Sequence, residues 1–142
     1  MKASELMIND LVNEGQDKVI KIYKNYGRSI AYIDELDTKY YPAKTCREVE
    51  ETCLSPIPLT KEVLKANGFI LKGKTSEYDY DSYYKCYVDK DYNTHELNFT
   101  PANGCVELFW KNRIYGIKYV HEFQHALRLC SLNELADNFK IK

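Results

Sequence analysis

The 142-residue chain sets 20 Lys and Arg against 21 Asp and Glu, a formal net charge of -1, which leaves no overall attraction to phosphate backbones or anionic lipid. Its 44% hydrophobic and 29% charged residues exclude a disordered chain, because disorder follows from low hydrophobicity with a large net charge. The length suits a single domain, 1–142, and is short for two of ordinary size.

Glu5 interrupts the opening residues where a secretory leader needs an unbroken apolar run, and no stretch approaches the ~20 apolar residues of a membrane span. The expected compartment is the cytoplasm, with no membrane partner. Short β-branched and aromatic runs follow: Leu11–Val12, Val19–Tyr23 and Ile30–Ile33, separated by turns at Gly15 and Gly27. They predict a small β-meander over residues 8–50, within an N-terminal β subregion 1–55. The five cysteines are widely spaced and form no C-x-x-C pair, so free thiols in a reducing compartment are expected.

The second subregion, 56–142, opens on Pro56-Ile57-Pro58-Leu59-Thr60. The prolines hold the approach extended, Thr60 is placed to cap, and Gly68 is placed to end a helix over 61–67, with Phe69 meeting Leu64 in a Schellman contact. Residues 69–115 read as an antiparallel sheet. In its long tyrosine-rich strand, period-two alternation puts Tyr78, Tyr80, Tyr84, Cys86 and Val88 on the more apolar face and turns Tyr83 and Tyr87 toward solvent. Asn103-Gly104 signals a hairpin. Asp89-Lys90-Asp91-Tyr92-Asn93 begins like a calcium loop, but Thr94 stands where the glycine belongs and Thr100 where the bidentate glutamate belongs, so it reads as a polar hairpin turn. Two helices, 117–130 and 132–139, close the chain and pack on the sheet; Ser131 and Glu134 have the spacing of a capping box for the second. The fold class is therefore α+β.

The one stretch that names a chemistry is His121-Glu122-Phe123-Gln124-His125, the H-E-x-x-H pattern in which two imidazoles one turn apart hold zinc and the carboxylate activates water. On a helical wheel, Val120, Phe123, Leu127 and Cys130 occupy one side and the two histidines fall opposite, near Arg128, facing water. Arg128 and Ser131 also stand where the extended motif needs its glycine and third histidine. The residues thus predict a solvated helical face, with no metal, no cofactor and no catalytic residue. His121 and His125 as ligands with Glu122 as base remain the fallback. Thirteen tyrosines combine contact area with hydroxyls, which favours recognition by stacking and edge contacts. Tyr83, Tyr87, Trp110 and Arg113 are the candidate ligand-binding residues.

Glu5-Leu6-Met7-Ile8-Asn9-Asp10-Leu11-Val12, the central Pro56-Ile57-Pro58-Leu59-Thr60 leading to Gly68-Phe69, and Ile117-Lys118-Tyr119-Val120-His121-Glu122-Phe123-Gln124-His125 together resemble a family of short uncharacterised proteins from phages and mobile elements of gut bacteria. That family's tail has the form Y-V-H-[QE]-x-Q-[NH], in which the second histidine is optional. The resemblance implies a structural or recognition role for the tail, and it carries no functional residues with it. The resulting expectation is a non-enzymatic accessory protein in the host-cell cytoplasm, an anti-defence candidate. It would bind a host protein or a small, nucleotide-like ligand, with nucleic acid not indicated and the oligomeric state open. A small zinc metalloprotease or hydrolase, and a virion or assembly component, are the alternatives.

Overall fold

The computed structural model describes residues 1–141 apart from 17, 27–28, 35–46, 76–77 and 109–111. It is an α+β protein built on antiparallel sheets with C-terminal helices contacting them. The chain divides into two compact units, residues 1–58 with 119–125 and residues 59–118 with 126–142.

The first unit begins with a 3-10 turn at Ala3–Glu5 and continues into strands β1 (Leu11–Glu14), β2 (Lys18–Tyr26), β3 (Ser29–Asp34), β4 (Arg47–Glu50) and β5 (Leu54–Ser55). Their order is β4-β3-β2-β1-β5. The predicted meander is therefore present, and a further short strand returns to pair with its first. Val12 faces Ile20 across the β1–β2 ladder, and both are buried with Ala3, Leu6, Ile22, Val49 and Leu54 in one apolar cluster. Period-two patterning delivers those side chains to a common face.

In the second unit, helix α1 (Lys61–Ala66) starts and stops where its punctuation directs. Thr60 Oγ1 accepts the Val63 N–H at 3.3 Å. Gly68 takes φ +80°, its N–H donates to Lys65 O and the Phe69 N–H donates to Leu64 O, both at 3.0 Å. Those two bonds make the Schellman ending, and Leu64 and Phe69 are both buried. Lys85 Nζ adds a bond of 2.6 Å to the carbonyl of Asn67, a cation at the negative end of the helix. Burial holds that ammonium below its ordinary lysine value, with Lys140 pushing the same way. The Asn67 side chain in turn clamps the tail, donating to Lys140 O and accepting from Lys140 N.

Strands β6 (Ile70–Thr75), β7 (Tyr78–Val88), β8 (Thr94–Thr100), β9 (Cys105–Leu108) and β10 (Asn112–Ile114) form the predicted antiparallel sheet, in the order β10-β9-β8-β7-β6. The face assignment of β7 is reversed from expectation. Tyr83 pairs with Phe99 and Lys85 with Leu97, and Phe99 and Leu97 pair onward with Val106 and Leu108. Directly paired residues share a face, so this inner face carries Tyr83, at 5% exposure, with buried Leu97, Phe99, Val106 and Leu108. Cys86 and Val88 are exposed. Cross-strand pairing with the buried Phe99 and Leu97 selects the face of Tyr83 and Lys85 over that of Tyr84, Cys86 and Val88.

Helix α2 (Val120–Leu129) starts three residues later than periodicity suggests. Lys118 O accepts the Leu59 N–H, and Tyr119 bridges Pro58, so the residues before Val120 are engaged as extended chain. Helix α3 (Asn133–Asp137) follows. Ser131 does not cap it: the residue before α3 is Leu132, which makes no side-chain cap bond. Ser131 instead adopts φ +62° and closes α2. Its N–H donates to Arg128 O and the Leu132 N–H donates to Leu127 O, both at 2.9 Å, a second Schellman ending with serine in the position glycine usually takes. The four described cysteines, Cys53, Cys86, Cys105 and Cys130, are free thiols; Cys46 lies outside the described residues.

Candidate functional site

The side chains of the H-E-x-x-H run converge on a turn near the start of the chain. At Met7–Asp10 the Asp10 N–H donates to Met7 O at 3.1 Å and Asn9 adopts φ +70°, a conformation asparagine tolerates better than most residues. Asp10 Oδ2 accepts the Met7 N–H at 2.7 Å. Two bonds to β2 hold the turn from behind, Asn9 N–H to Ile22 O at 2.7 Å and Ile22 N–H to Asp10 O at 2.9 Å. Met7 and Ile8 nevertheless project outward, 48% and 58% exposed.

Helix α2 grips the same turn. Gln124, fully buried, accepts the Leu11 N–H through Oε1 and donates through Nε2 to Asn9 O, each at 2.9 Å. The His125 Nε2 lies 2.6 Å from Asp10 Oδ2, and Asp10 has no exposed surface. Glu122 serves its own helix: its Oε2 accepts the N–H of Tyr119 at 3.1 Å, while Tyr119 O accepts the Phe123 N–H. That is the returning half of a capping box, a glutamate in the first turn satisfying an amide at the helix start.

His121 is 6% exposed. Its ring stacks on Tyr119 at 6.1 Å between centroids and meets His125 edge-on at 5.8 Å. Its Nδ1 has no hydrogen-bond partner among the described residues. Burial holds the ring below the usual histidine value; Asp10, Glu122 and Glu5 pull upward and His125 pushes down. The expectation of a water-facing histidine pair is therefore corrected. The Met7–Leu11 segment covers that side of the helix, and the most exposed apolar residue of α2 is Leu129. Val120, Phe123 and Leu127 are buried as the apolar stripe predicts.

This arrangement does not suit a zinc centre. The Glu122 carboxylate that would activate water is bonded to backbone, and the His125 nitrogen that would face a metal is bonded to Asp10. Among the described residues no group of three or more His, Cys, Asp or Glu side chains is placed to hold a metal ion.

Among the described residues, the candidates Tyr83, Tyr87 and Arg113 do not assemble into one site. Tyr83, expected at the surface, is core. Tyr87 is half-buried, and its hydroxyl reaches Glu134 Oε2 of α3 at 3.3 Å; desolvation first, and Glu134 next, raise its phenol above the ordinary value. Arg113 on β10 is exposed and pairs with Glu107 at 3.5 Å, and a bond to Tyr115 chiefly raises it. Three strand spacings, about 14 Å, separate β10 from β7, so Arg113 and Tyr87 do not meet. Trp110 lies outside the described residues. The calcium-like run is a hairpin turn: Asp89 Oδ1 accepts the Asp91 and Asn93 N–H groups, and Oδ2 pairs with His95 at 2.9 Å. The His95 bond is the main cause of the lowered Asp89 carboxyl.

Residue reasoning passed over Asp10 and Gln124. The signal for Gln124 was its place in the Y-V-H-[QE]-x-Q tail, and the signal for Asp10 was the turn-forming Asn9-Asp10 pair between two apolar runs. Among the described residues no helix is long and apolar enough to cross a membrane. No protein-family model, curated protein or solved structure matches the chain.

Proposed function

We propose that the protein is a non-enzymatic binding domain, an accessory protein of the phage and mobile-element class whose partner is a host protein. The observation that supports this is the Met7–Asp10 turn. Its backbone is held by β2, Gln124 and Asp10, while two large apolar side chains, Met7 and Ile8, stand about half exposed at its tip. A rigid turn holding apolar side chains in water is suited to docking, because little ordering entropy is lost when a partner covers it. Beneath it, Gln124 bonds to its backbone and His125 to Asp10.

Fully burying a side chain of this size is worth roughly 1.5–3 kcal/mol, so covering the exposed half of Ile8 contributes around tenfold in affinity at the upper end. A partner captured from host extract and then purified is expected to bind the wild-type chain saturably, and Ile8→Asp is expected to weaken it by roughly fourfold to tenfold with no change in the melting curve. Undiminished affinity in both Met7→Asp and Ile8→Asp would remove the turn as docking element. Hydrolytic activity lost in Glu122→Gln would overturn the non-enzymatic reading.

A further inference from the structure

The tripeptide Ala-Asn-Gly occurs twice in the chain, at Ala66-Asn67-Gly68 and at Ala102-Asn103-Gly104. Asparagine before glycine can lose its side-chain amide without an enzyme. The glycine nitrogen gives up its proton and attacks Cγ, the new C–N bond closes a succinimide ring, and the amide nitrogen leaves as ammonia. Water then opens the ring to aspartate or, with the main chain rerouted through the side chain, to isoaspartate. Glycine permits the attack because no Cβ obstructs it. The two sites share this local chemistry, so the fold sets the difference between them.

At Asn67 the groups that must move are held. The residue is 7% exposed. Its Nδ2, the leaving nitrogen, donates to Val63 O at 2.8 Å and to Lys140 O at 2.7 Å, and its Oδ1 accepts the Lys140 N–H at 2.8 Å. The attacking nitrogen of Gly68 donates to Lys65 O at 3.0 Å within the Schellman ending. Asn103, by contrast, is exposed in the turn before β9. Its Oδ1 accepts the Cys105 N–H at 3.1 Å, a donor aimed at the oxygen that becomes negative when Cγ is attacked. The Gly104 N–H reaches Pro101 O at 3.3 Å, a longer bond than the one at Gly68.

We propose that Asn103 is the site at which the folded chain deamidates spontaneously, with water as co-reactant, and that the isoaspartyl product unseats the corner between Gly104 and Ile117. Isoaspartate adds one carbon to the main chain between residues 103 and 104 and turns the former Asn103 carbonyl into a free carboxylate. That carbonyl accepts the Gly116 N–H at 3.2 Å, and Gly104 O accepts the Ile117 N–H at 3.0 Å. The corner has no space for a longer chain: a Cβ on Gly104 would already lie 2.5 Å from Ile117 N and O. This holds whatever the domain binds.

The test is peptide mapping by mass spectrometry of the full chain incubated in mildly alkaline buffer, folded and in urea, with each site's folded rate divided by its own rate in urea. That ratio is expected to be at least about tenfold higher for Asn103 than for Asn67, whose three side-chain bonds must open first. The isoaspartyl fraction, separated by chromatography, is expected to lose hydrogen-exchange protection at the Ile117 amide, whereas Asn103→Asp, with its ordinary main chain, retains it. Equal ratios, a higher ratio at Asn67, or no detectable folded-state conversion of Asn103 by the time it is half converted in urea overturns the site. An isoaspartyl fraction as protected at Ile117 as the unreacted chain, or an equal loss in Asn103→Asp, overturns the effect on the corner.

Discussion

Glu122 shows how a residue type can be read correctly and its task misread. The pattern H-E-x-x-H describes spacing along a helix, and the spacing is real, but a first-turn glutamate has two uses, and here its carboxylate closes on the Tyr119 amide. Glutamine fills that role as well as glutamate. Glu122→Gln is therefore expected to leave stability within about 0.5 kcal/mol, while Glu122→Ala costs about 1 kcal/mol, both read from urea midpoints; equal losses would count against the cap. Asp10 and His125 were invisible as a pair because 115 residues separate them. No local rule joins a turn acid to a helical imidazole at that distance. What decides their pairing is that a buried carboxylate needs a partner.

At the scale of elements, helix ends were the most legible part of the chain. Thr60, Gly68 and the Leu64–Phe69 contact all act as their types and spacing require, because capping is settled within six or seven residues. Ser131 marks the limit. Serine before a glutamate three residues on suits an N-cap, yet α2 arrives first and needs a left-handed residue to stop, so the serine is taken as its terminator. Ser131→Gly is accordingly expected to raise stability by roughly 0.5–1 kcal/mol, since glycine enters positive φ without the Cβ penalty. A Ser131→Gly chain less stable than wild type in thermal melts would restore the cap reading. Gly104 is the opposite case: at φ +61° a Cβ there would lie 2.5 Å from the backbone of Ile117, so the hairpin glycine answers to packing as well as to turn type.

At the scale of the whole molecule the choice of face was the open matter. On β7, alternation separates Tyr83, Lys85 and Tyr87 from Tyr84, Cys86 and Val88, but either set suits a core by composition. Pairing with Leu97 and Phe99 selects the first. Tyr83→Ala is therefore expected to cost about 3 kcal/mol, in the range of large-to-small core substitutions, whereas Val88→Thr, at a position 57% exposed, stays within about 0.5 kcal/mol. Comparable losses from the two in chemical denaturation would put the sheet the other way round. The same question decided helix α2. Its apolar stripe was read correctly, but its second face is covered too, by a segment from the opposite end of the chain.

The sequence by itself determined the α+β class, the antiparallel strands, the extent of α1 and the stripe of α2, because periodicity, capping and turn chemistry act over a few residues. Only the tertiary structure decided which face of β7 is core, that Ser131 ends a helix rather than starting one, and that His121 and Gln124 are enclosed rather than solvated, with His125 paired to Asp10. Burial belongs to pairs of distant segments, and an element's own residues specify what it offers without specifying what comes to cover it.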